Sequence, residues 1–150
     1  MPIVNTSHDT EQRADRVWAA LLDVESFASY MDEVNEIRIL EHDGARRISA
    51  WKVLLKGSEL EWQEVELIIE DRRRIEFRQT EGDLAYFFGH WQITERDDGC
   101  TVELHVEFDI GIPLMAEMLN PVAARALEDN SRRILEQLGE RAAVVRPAGP

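Results

Sequence analysis

Apolar positions near the start of the chain recur with helical spacing. Between residues 14 and 31 they recur every three or four positions, which is the spacing of one buried helical face. The first set is Ala14, Val17, Trp18 and Leu21, and the second is Val24, Phe27 and Met31. Residues 3–8 precede both sets and are rich in β-branched side chains. The pattern therefore predicts a short strand followed by two short helices.

From Val34 to Ile112 the period changes to two, the spacing of a strand with one buried face. Turn-forming residues interrupt this pattern at five places, namely 42–44, 56–58, 70–72, 81–83 and 97–99. Turns this short join antiparallel neighbours. We therefore expect six consecutive strands in a meander, and seven strands with the first one.

Residues 101–112 show the clearest alternation and predict what the sheet must cover. Five apolar side chains alternate there with four polar ones: Val102, Leu104, Val106, Phe108 and Ile110 against Glu103, His105, Glu107 and Asp109. A sheet with one apolar face must bury that face against another layer. The final helix is the main candidate, because Asn120-Pro121 can begin a helix of roughly 20 residues. One of its faces carries Leu127, Ser131, Ile134 and Leu138.

Composition narrows the class of protein. The 150 residues include 30 acidic and 17 basic side chains, a net charge of −13, and a single cysteine. One domain is expected at this length, and one cysteine excludes an intrachain disulfide framework. The acidic balance argues against a nucleic-acid partner. No membrane span and no secretory signal are predicted, so we expect a cytoplasmic protein.

The order of the predicted elements resembles the START-like helix-grip (SRPBCC) superfamily. Arg16-Val17-Trp18 followed by Leu22-Asp23-Val24-Glu25 is similar to the opening of polyketide cyclases and of the related coenzyme Q binding proteins. Further similarity to bacterial aromatic polyketide aromatase/cyclases lies in Glu61-Trp62, Gly82-Asp83-Leu84-Ala85-Tyr86, His90-Trp91 and Glu107-Phe108-Asp109-Ile110. The resemblance implies an α+β helix-grip fold. In it, a curved seven-stranded antiparallel sheet wraps around a long C-terminal helix, with two short helices between strands 1 and 2. The domain is expected over residues 1–142, with a flexible tail at 143–150.

The same resemblance implies a deep apolar cavity that binds a hydrophobic small molecule, such as a polyketide, a lipid or a quinone. No cofactor and no metal are expected, and the protein is expected to be a monomer or a homodimer. The implied ligand-binding residues are Phe27, Met31, Val34, Trp51, Trp62, Phe87, Trp91, Leu104 and Asn130. Gly89 lies between two of these aromatic positions, and its missing side chain is expected to leave room for the ligand.

Two positions depart from the pattern of the tetracenomycin-type cyclases. Those proteins have a tyrosine after the second helix and an arginine on the strand that contains Trp62. The matching positions here are Val34 and Glu66. A carboxylate has replaced a cationic donor, so the same ring-closing mechanism does not carry over directly.

Glu64 and Glu66 are the candidate catalytic residues, because they share strand parity with Trp62. On this parity they face the cavity, whereas a bulge near Gln63 would turn both carboxylates out to water. An inward carboxylate without a cation would have a raised pKa and could act as a base or an acid. One paired with an arginine would be structural.

Two functions remain open from the sequence. The leading hypothesis is a cofactor-independent polyketide cyclase/aromatase-like protein that performs aldol-type ring closure and loss of water, with Glu66 or Glu64 as the base. The alternative is a non-catalytic lipid or quinone carrier. Loss of the tyrosine and the arginine favours the carrier, and two inward carboxylates would favour the enzyme. The four histidines, His8, His42, His90 and His105, show no metal-ligand spacing.

Overall fold

The computed structural model describes residues 2–55, 57–111 and 116–144. Within them the chain forms seven strands and three α-helices. Their order is β1 (Ile3–Thr10), α1 (Ala14–Leu22), α2 (Phe27–Tyr30), β2 (Val34–Asp43), β3 (Arg46–Leu55), β4 (Ser58–Ile69), β5 (Arg74–Gly82), β6 (Tyr86–Arg96), β7 (Gly99–Asp109) and α3 (Ala116–Val144). Short 3₁₀ turns lie at Val24–Ser26 and Glu70–Arg72. The α+β helix-grip fold predicted from the sequence is confirmed.

All seven strands belong to one curved antiparallel sheet with the order β1-β7-β6-β5-β4-β3-β2. Strands β2 to β7 form the predicted meander, and β1 pairs with β7, so that β1 and β2 are the two edges. The alternation read from the sequence of β7 matches its burial, since Val102, Leu104, Val106 and Phe108 are all buried. These side chains lie on the inner face of the sheet, against α3 and α1.

Helix α3 begins at Ala116, four residues earlier than Asn120, and Pro121 lies inside it. The side chain of Asn120 does not mark the first turn of the helix. Its Oδ1 instead accepts a hydrogen bond from the backbone N–H of Ile110, at 3.4 Å, just beyond the end of β7. The polar residue that resembled a helix start therefore ties the helix to the sheet.

The C-terminal end of α3 also differs from the prediction. The helix continues to Val144, so two residues of the predicted tail are helical. Ala142 is fully buried, and the guanidinium of Arg141 lies 5.0 Å from the ring centroid of Tyr30. These contacts anchor the last turn, because a cation over an aromatic face is favourable. Residues 145–150 of the predicted tail lie outside the described residues.

Gly89 has a structural role that differs from the one expected. A Cβ at this position would collide with the backbone carbonyl oxygen of His105 and touch the ring of Phe77. Glycine is required because β7 approaches β6 closely here, and the space above it is filled by Phe77. The prediction that Gly89 leaves room for a ligand was therefore wrong.

Within the described ranges, no helix has the length and apolar character needed to cross a bilayer.

Candidate functional site

The inward orientation of the β4 carboxylates is the first feature of the site. Trp62, Glu64 and Glu66 are all buried, and the two carboxylates are 2% and 1% exposed. A bulge does occur at this point, but it lies in the partner strand. Gln63 pairs with Glu81 and Glu64 pairs with Gln79, so that Thr80 of β5 is the extra residue. Strand β4 therefore keeps its alternation, and both carboxylates face the inside of the sheet.

Arg47 on β3 neutralises one of the two carboxylates. It lies opposite Glu66 in the β3–β4 register, and its Nε donates to Glu66 Oε1 at 2.6 Å. The arginine is itself 2% exposed, and its Nη1 donates to the backbone carbonyl of Leu22 at 2.9 Å. Glu66 is therefore held in a buried ion pair between the sheet and the end of α1.

Glu64 has a different environment from Glu66. Its Oε1 accepts a hydrogen bond from Trp62 Nε1 at 2.7 Å. Burial raises the pKa of Glu64 well above its usual value, and the neighbouring carboxyl of Glu66 raises it further. The indole N–H of Trp62 and the charge of Arg47 oppose these effects only in part. Two adjacent carboxyls cannot both ionise at low cost, so the protonated form of Glu64 is favoured.

An inner cavity lies between this face of the sheet and α3. Its volume is about 50 Å³, and its walls are almost entirely apolar. The lining residues are Trp51, Val53, Leu55, Leu60, Trp62, Glu64, Phe77, Phe87, Trp91, Leu104, Val106, Leu127, Asn130, Ser131 and Ile134. The only ionisable side chain among them is Glu64.

Aromatic rings form a continuous wall on one side of the inner cavity. Trp51 stacks on Trp62 with the ring centroids 5.5 Å apart, and Phe87 packs against Trp62 at 5.0 Å. The indole N–H groups of both tryptophans are satisfied, by Ser49 and by Glu64 respectively. The wall therefore offers flat apolar surface together with one buried carboxyl, that of Glu64.

An outer pocket of about 320 Å³ adjoins the inner cavity beside the middle of α3. Its lining residues are Asp32, Glu33, Leu54, Leu55, Gly57, Ala126, Asp129, Asn130 and Arg133. Leu55 and Asn130 line both spaces. These two side chains therefore form the wall between the inner cavity and the outer pocket.

A larger depression of about 490 Å³ lies on the outer face of the sheet, lined by residues such as Arg46, Leu67 and His90. It is open to solvent. Ligand sites are usually enclosed apolar pockets with a few convergent polar groups and a perturbed pKa. The inner cavity matches this description better than the outer-face depression does.

Comparison with known proteins identifies the family. The sequence profile of the family described as polyketide cyclase / dehydrase and lipid transport matches residues 10–135. The chain belongs to this family. A search of curated proteins found no significant sequence match.

Three solved structures have folds similar to that of this chain. TTHA0849 from Thermus thermophilus is 25% identical, with a TM-score of 0.89 over 95% of this chain and 98% of its own. The Zhui aromatase/cyclase from Streptomyces sp. R1128 is 23% identical, with a TM-score of 0.83 over 99% and 98% of the two chains. A START superfamily protein from Mycobacterium smegmatis is 13% identical, with a TM-score of 0.76 over 93% and 98%. The last two likenesses establish a shared fold alone.

Most of the residues predicted to bind ligand in this polyketide cyclase family member are brought together. Six of the nine line the inner cavity: Trp51, Trp62, Phe87, Trp91, Leu104 and Asn130. The other three, Phe27, Met31 and Val34, are buried behind the lining. Phe27 packs edge-on against Trp51 and Trp91, at 6.1 and 6.3 Å between centroids. Of the two predicted catalytic residues, Glu64 lines the cavity and Glu66 lies beside it in the ion pair with Arg47.

Arg47 is the most important site residue that sequence reasoning missed. It shares strand parity with Ser49 and Trp51 on β3, and both of these are buried. An arginine on the buried parity of a strand is an available signal, because arginine is almost never fully buried unless it is paired. The strand register needed to identify Glu66 as its partner comes only from the structure.

His90 belongs to the outer face of the sheet. Its Nε2 lies 3.4 Å from Glu103 Oε1, and its ring stacks on His105 with the centroids 5.1 Å apart. Burial lowers the pKa of His90, and the nearby Arg74 lowers it further. Because Trp91 faces the cavity, the adjacent His90 points away from it.

Proposed function

We propose that the protein binds a hydrophobic small molecule carrying carbonyl groups in the inner cavity and promotes its cyclisation and dehydration through proton transfer at Glu64. One observation carries the proposal. A buried carboxyl with a raised pKa lies in an apolar wall, beside a second carboxyl that is held in an ion pair. Family membership supports this class of reaction.

The geometry favours different roles for the two carboxyls. Glu64 is the proton donor, because it lines the cavity and its raised pKa favours the protonated form. Glu66 and Arg47 act as positioning residues. Glu66 raises the pKa of its neighbour, and Arg47 stabilises the negative charge that forms when Glu64 gives its proton up.

An aldol closure then balances without an external reagent. The methylene between two carbonyls attacks in its enol form. As the new carbon–carbon bond forms, the carbonyl oxygen that is attacked takes the proton of Glu64 and becomes a hydroxyl, and the enol O–H gives its proton to the Glu64 carboxylate as its own carbonyl re-forms, which restores the acid. In the loss of water, Glu64 protonates the departing hydroxyl, and its carboxylate takes the proton of the adjacent ring carbon as the double bond forms. The apolar walls exclude bulk water from the reacting atoms.

A carrier without chemistry is the second candidate. It is favoured by the ion pair of Arg47 and Glu66, which leaves Glu64 as the single ionisable group among the described residues of the cavity lining. In a carrier, the protonated Glu64 would be a polar contact for a ligand oxygen.

Turnover and binding measured side by side separate the two functions. The substrate surrogate is methyl 3,5,7-trioxooctanoate, whose ring closure is followed by absorbance, and the binding probe is N-phenyl-1-naphthylamine. Glu64→Gln should bind the probe as the wild type does but lose roughly 10²- to 10⁴-fold in rate, the usual contribution of a general acid or base. Glu61→Gln changes an exposed carboxylate on the other face of β4 and should retain the wild-type rate.

Activity should also fall as pH rises through the raised pKa of Glu64, because the protonated form is the reactive one. Equal rates for Glu64→Gln and wild type would remove Glu64 from the mechanism. Probe binding without acceleration of the surrogate by the wild type would favour the carrier.

A further inference from the structure

The wall between the inner cavity and the outer pocket contains an unsatisfied polar group. Asn130 is 8% exposed, and its Nδ2 donates to the backbone carbonyl of Leu54 at 3.4 Å. Its Oδ1 is buried and accepts no hydrogen bond from the described residues. A buried acceptor without a donor is unfavourable. The wall therefore lacks a hydrogen-bond donor that would satisfy this oxygen.

Glu33 provides a second acceptor of the same kind. It lines the outer pocket and is also 8% exposed. Its Oε1 accepts a hydrogen bond from Arg133 Nη1 at 3.4 Å, whereas its Oε2 is buried with no donor among the described residues. Both incomplete groups at the outer pocket are therefore acceptors.

The inner cavity is also too small to hold a ligand in its closed form. A cavity of about 50 Å³ holds only a few water molecules, since each needs roughly 10–15 Å³. Binding sites for small molecules usually measure about 300–1,000 Å³. The inner cavity reaches that range only when it is joined to the outer pocket of about 320 Å³.

We infer that the ligand of the proposed function extends past Asn130 into the outer pocket, where a hydrogen-bond-donating end group binds Asn130 Oδ1 and Glu33. This inference rests on the proposed function and specifies its ligand as an amphiphile, with an apolar body in the inner cavity and a hydroxyl or ammonium group at its end. Leu55 and Asn130 move apart when it binds.

The charges of the outer pocket support a donor at this end. Its described lining contains three carboxylates, Asp32, Glu33 and Asp129, and one cation, Arg133, which is already engaged by Glu33. The described lining therefore carries an excess of negative charge, which favours an alcohol or amine end group over a carboxylate.

Three matched probes test the inference: 3-(2-naphthyl)propan-1-ol, 3-(2-naphthyl)propan-1-amine and 2-butylnaphthalene. They share one apolar body and differ only in the end group, which is a hydroxyl, an ammonium or a methyl. Affinity is measured by displacement of N-phenyl-1-naphthylamine. Asn130→Leu removes the acceptor at similar volume, Glu33→Gln removes the charge, and Glu128→Gln is the control, on an exposed position of α3 that lines neither space.

Asn130→Leu should weaken binding of the alcohol or the amine roughly three- to tenfold, the size of one hydrogen bond, and leave 2-butylnaphthalene unchanged. If Glu33→Gln weakens binding of the amine alone, the end group is assigned as ammonium. If Asn130→Leu weakens binding of the alcohol alone, the end group is assigned as hydroxyl. Glu128→Gln should behave as the wild type with all three probes.

The inference would be overturned if the variants changed the affinities of all three probes equally, or changed none of them. Either result would leave the cavity proposal in place. Failure of 2-butylnaphthalene and the other probes to bind the wild type would remove the cavity proposal and this inference with it. Should Asn130→Leu fail to fold, Glu33→Gln must still weaken binding of the alcohol or the amine more than that of 2-butylnaphthalene, and equal changes in affinity for all three probes would also refute the inference.

Discussion

Replacement of Glu64 by glutamine should remove a specific pH dependence of stability. In the folded protein the pKa of Glu64 is raised by burial and by the adjacent Glu66, whereas in the unfolded chain it returns to about 4.5. Above pH 4.5 the folded state therefore binds one more proton than the unfolded state, and stability falls as pH rises towards the folded pKa. One proton corresponds to about 1.4 kcal/mol of free energy per pH unit.

Glutamine keeps the shape of the side chain, an acceptor for Trp62 Nε1 and a donor towards Glu66, but it does not ionise. The free energy of unfolding is measured by urea denaturation at several pH values from about 5.5 upwards. The wild type should lose about 1.4 kcal/mol per pH unit relative to Glu64→Gln within this window. Glu61→Gln, on the exposed face of the same strand, should run parallel to the wild type. A constant difference between wild type and Glu64→Gln across the window would show that Glu64 is ionised in the folded protein and would refute the assignment.

Three further predictions concern the residues and strands that surround the site. Arg47→Met should lower the free energy of unfolding by about 3–5 kcal/mol, because it leaves the buried carboxylate of Glu66 unpaired, and the double change with Glu66→Leu should recover most of this loss in urea denaturation. Gly89→Ala should lower the melting temperature, because the added methyl collides with the carbonyl of His105. An unchanged melting temperature would contradict the close approach of β6 and β7. Amide hydrogen exchange should be slowest in residues 102–108, which pair with β1 on one side and with β6 on the other. Rapid exchange there would contradict the sheet order.

Local patterns predicted the parts of the fold that depend on neighbours in sequence. Alternation in β7 identified the buried face, and five turn signals placed the hairpins, because each turn joins adjacent strands. The start of α3 was misplaced because Asn120 uses its side chain to bind the backbone beyond β7, a contact that no local rule contains.

For the candidate site, too, local patterns predicted some features and missed those that depend on distant residues. Parity on β4 predicted that Glu64 and Glu66 face inwards, but it could not tell their roles apart. The difference arises from Arg47, which lies 19 positions away in sequence and opposite Glu66 in register. The outer pocket was also missed, because it forms where α3 meets Glu33 and the end of β3, three segments distant in sequence.

The location of a bound ligand tests the central claim most directly. Intermolecular nuclear Overhauser effects from the ring protons of N-phenyl-1-naphthylamine can be assigned on methyl-labelled protein. The account predicts contacts with Leu104, Val106 and Leu127, which line the inner cavity. Contacts instead with Val65 and Leu67, which line the larger depression on the outer face of the sheet, would contradict it.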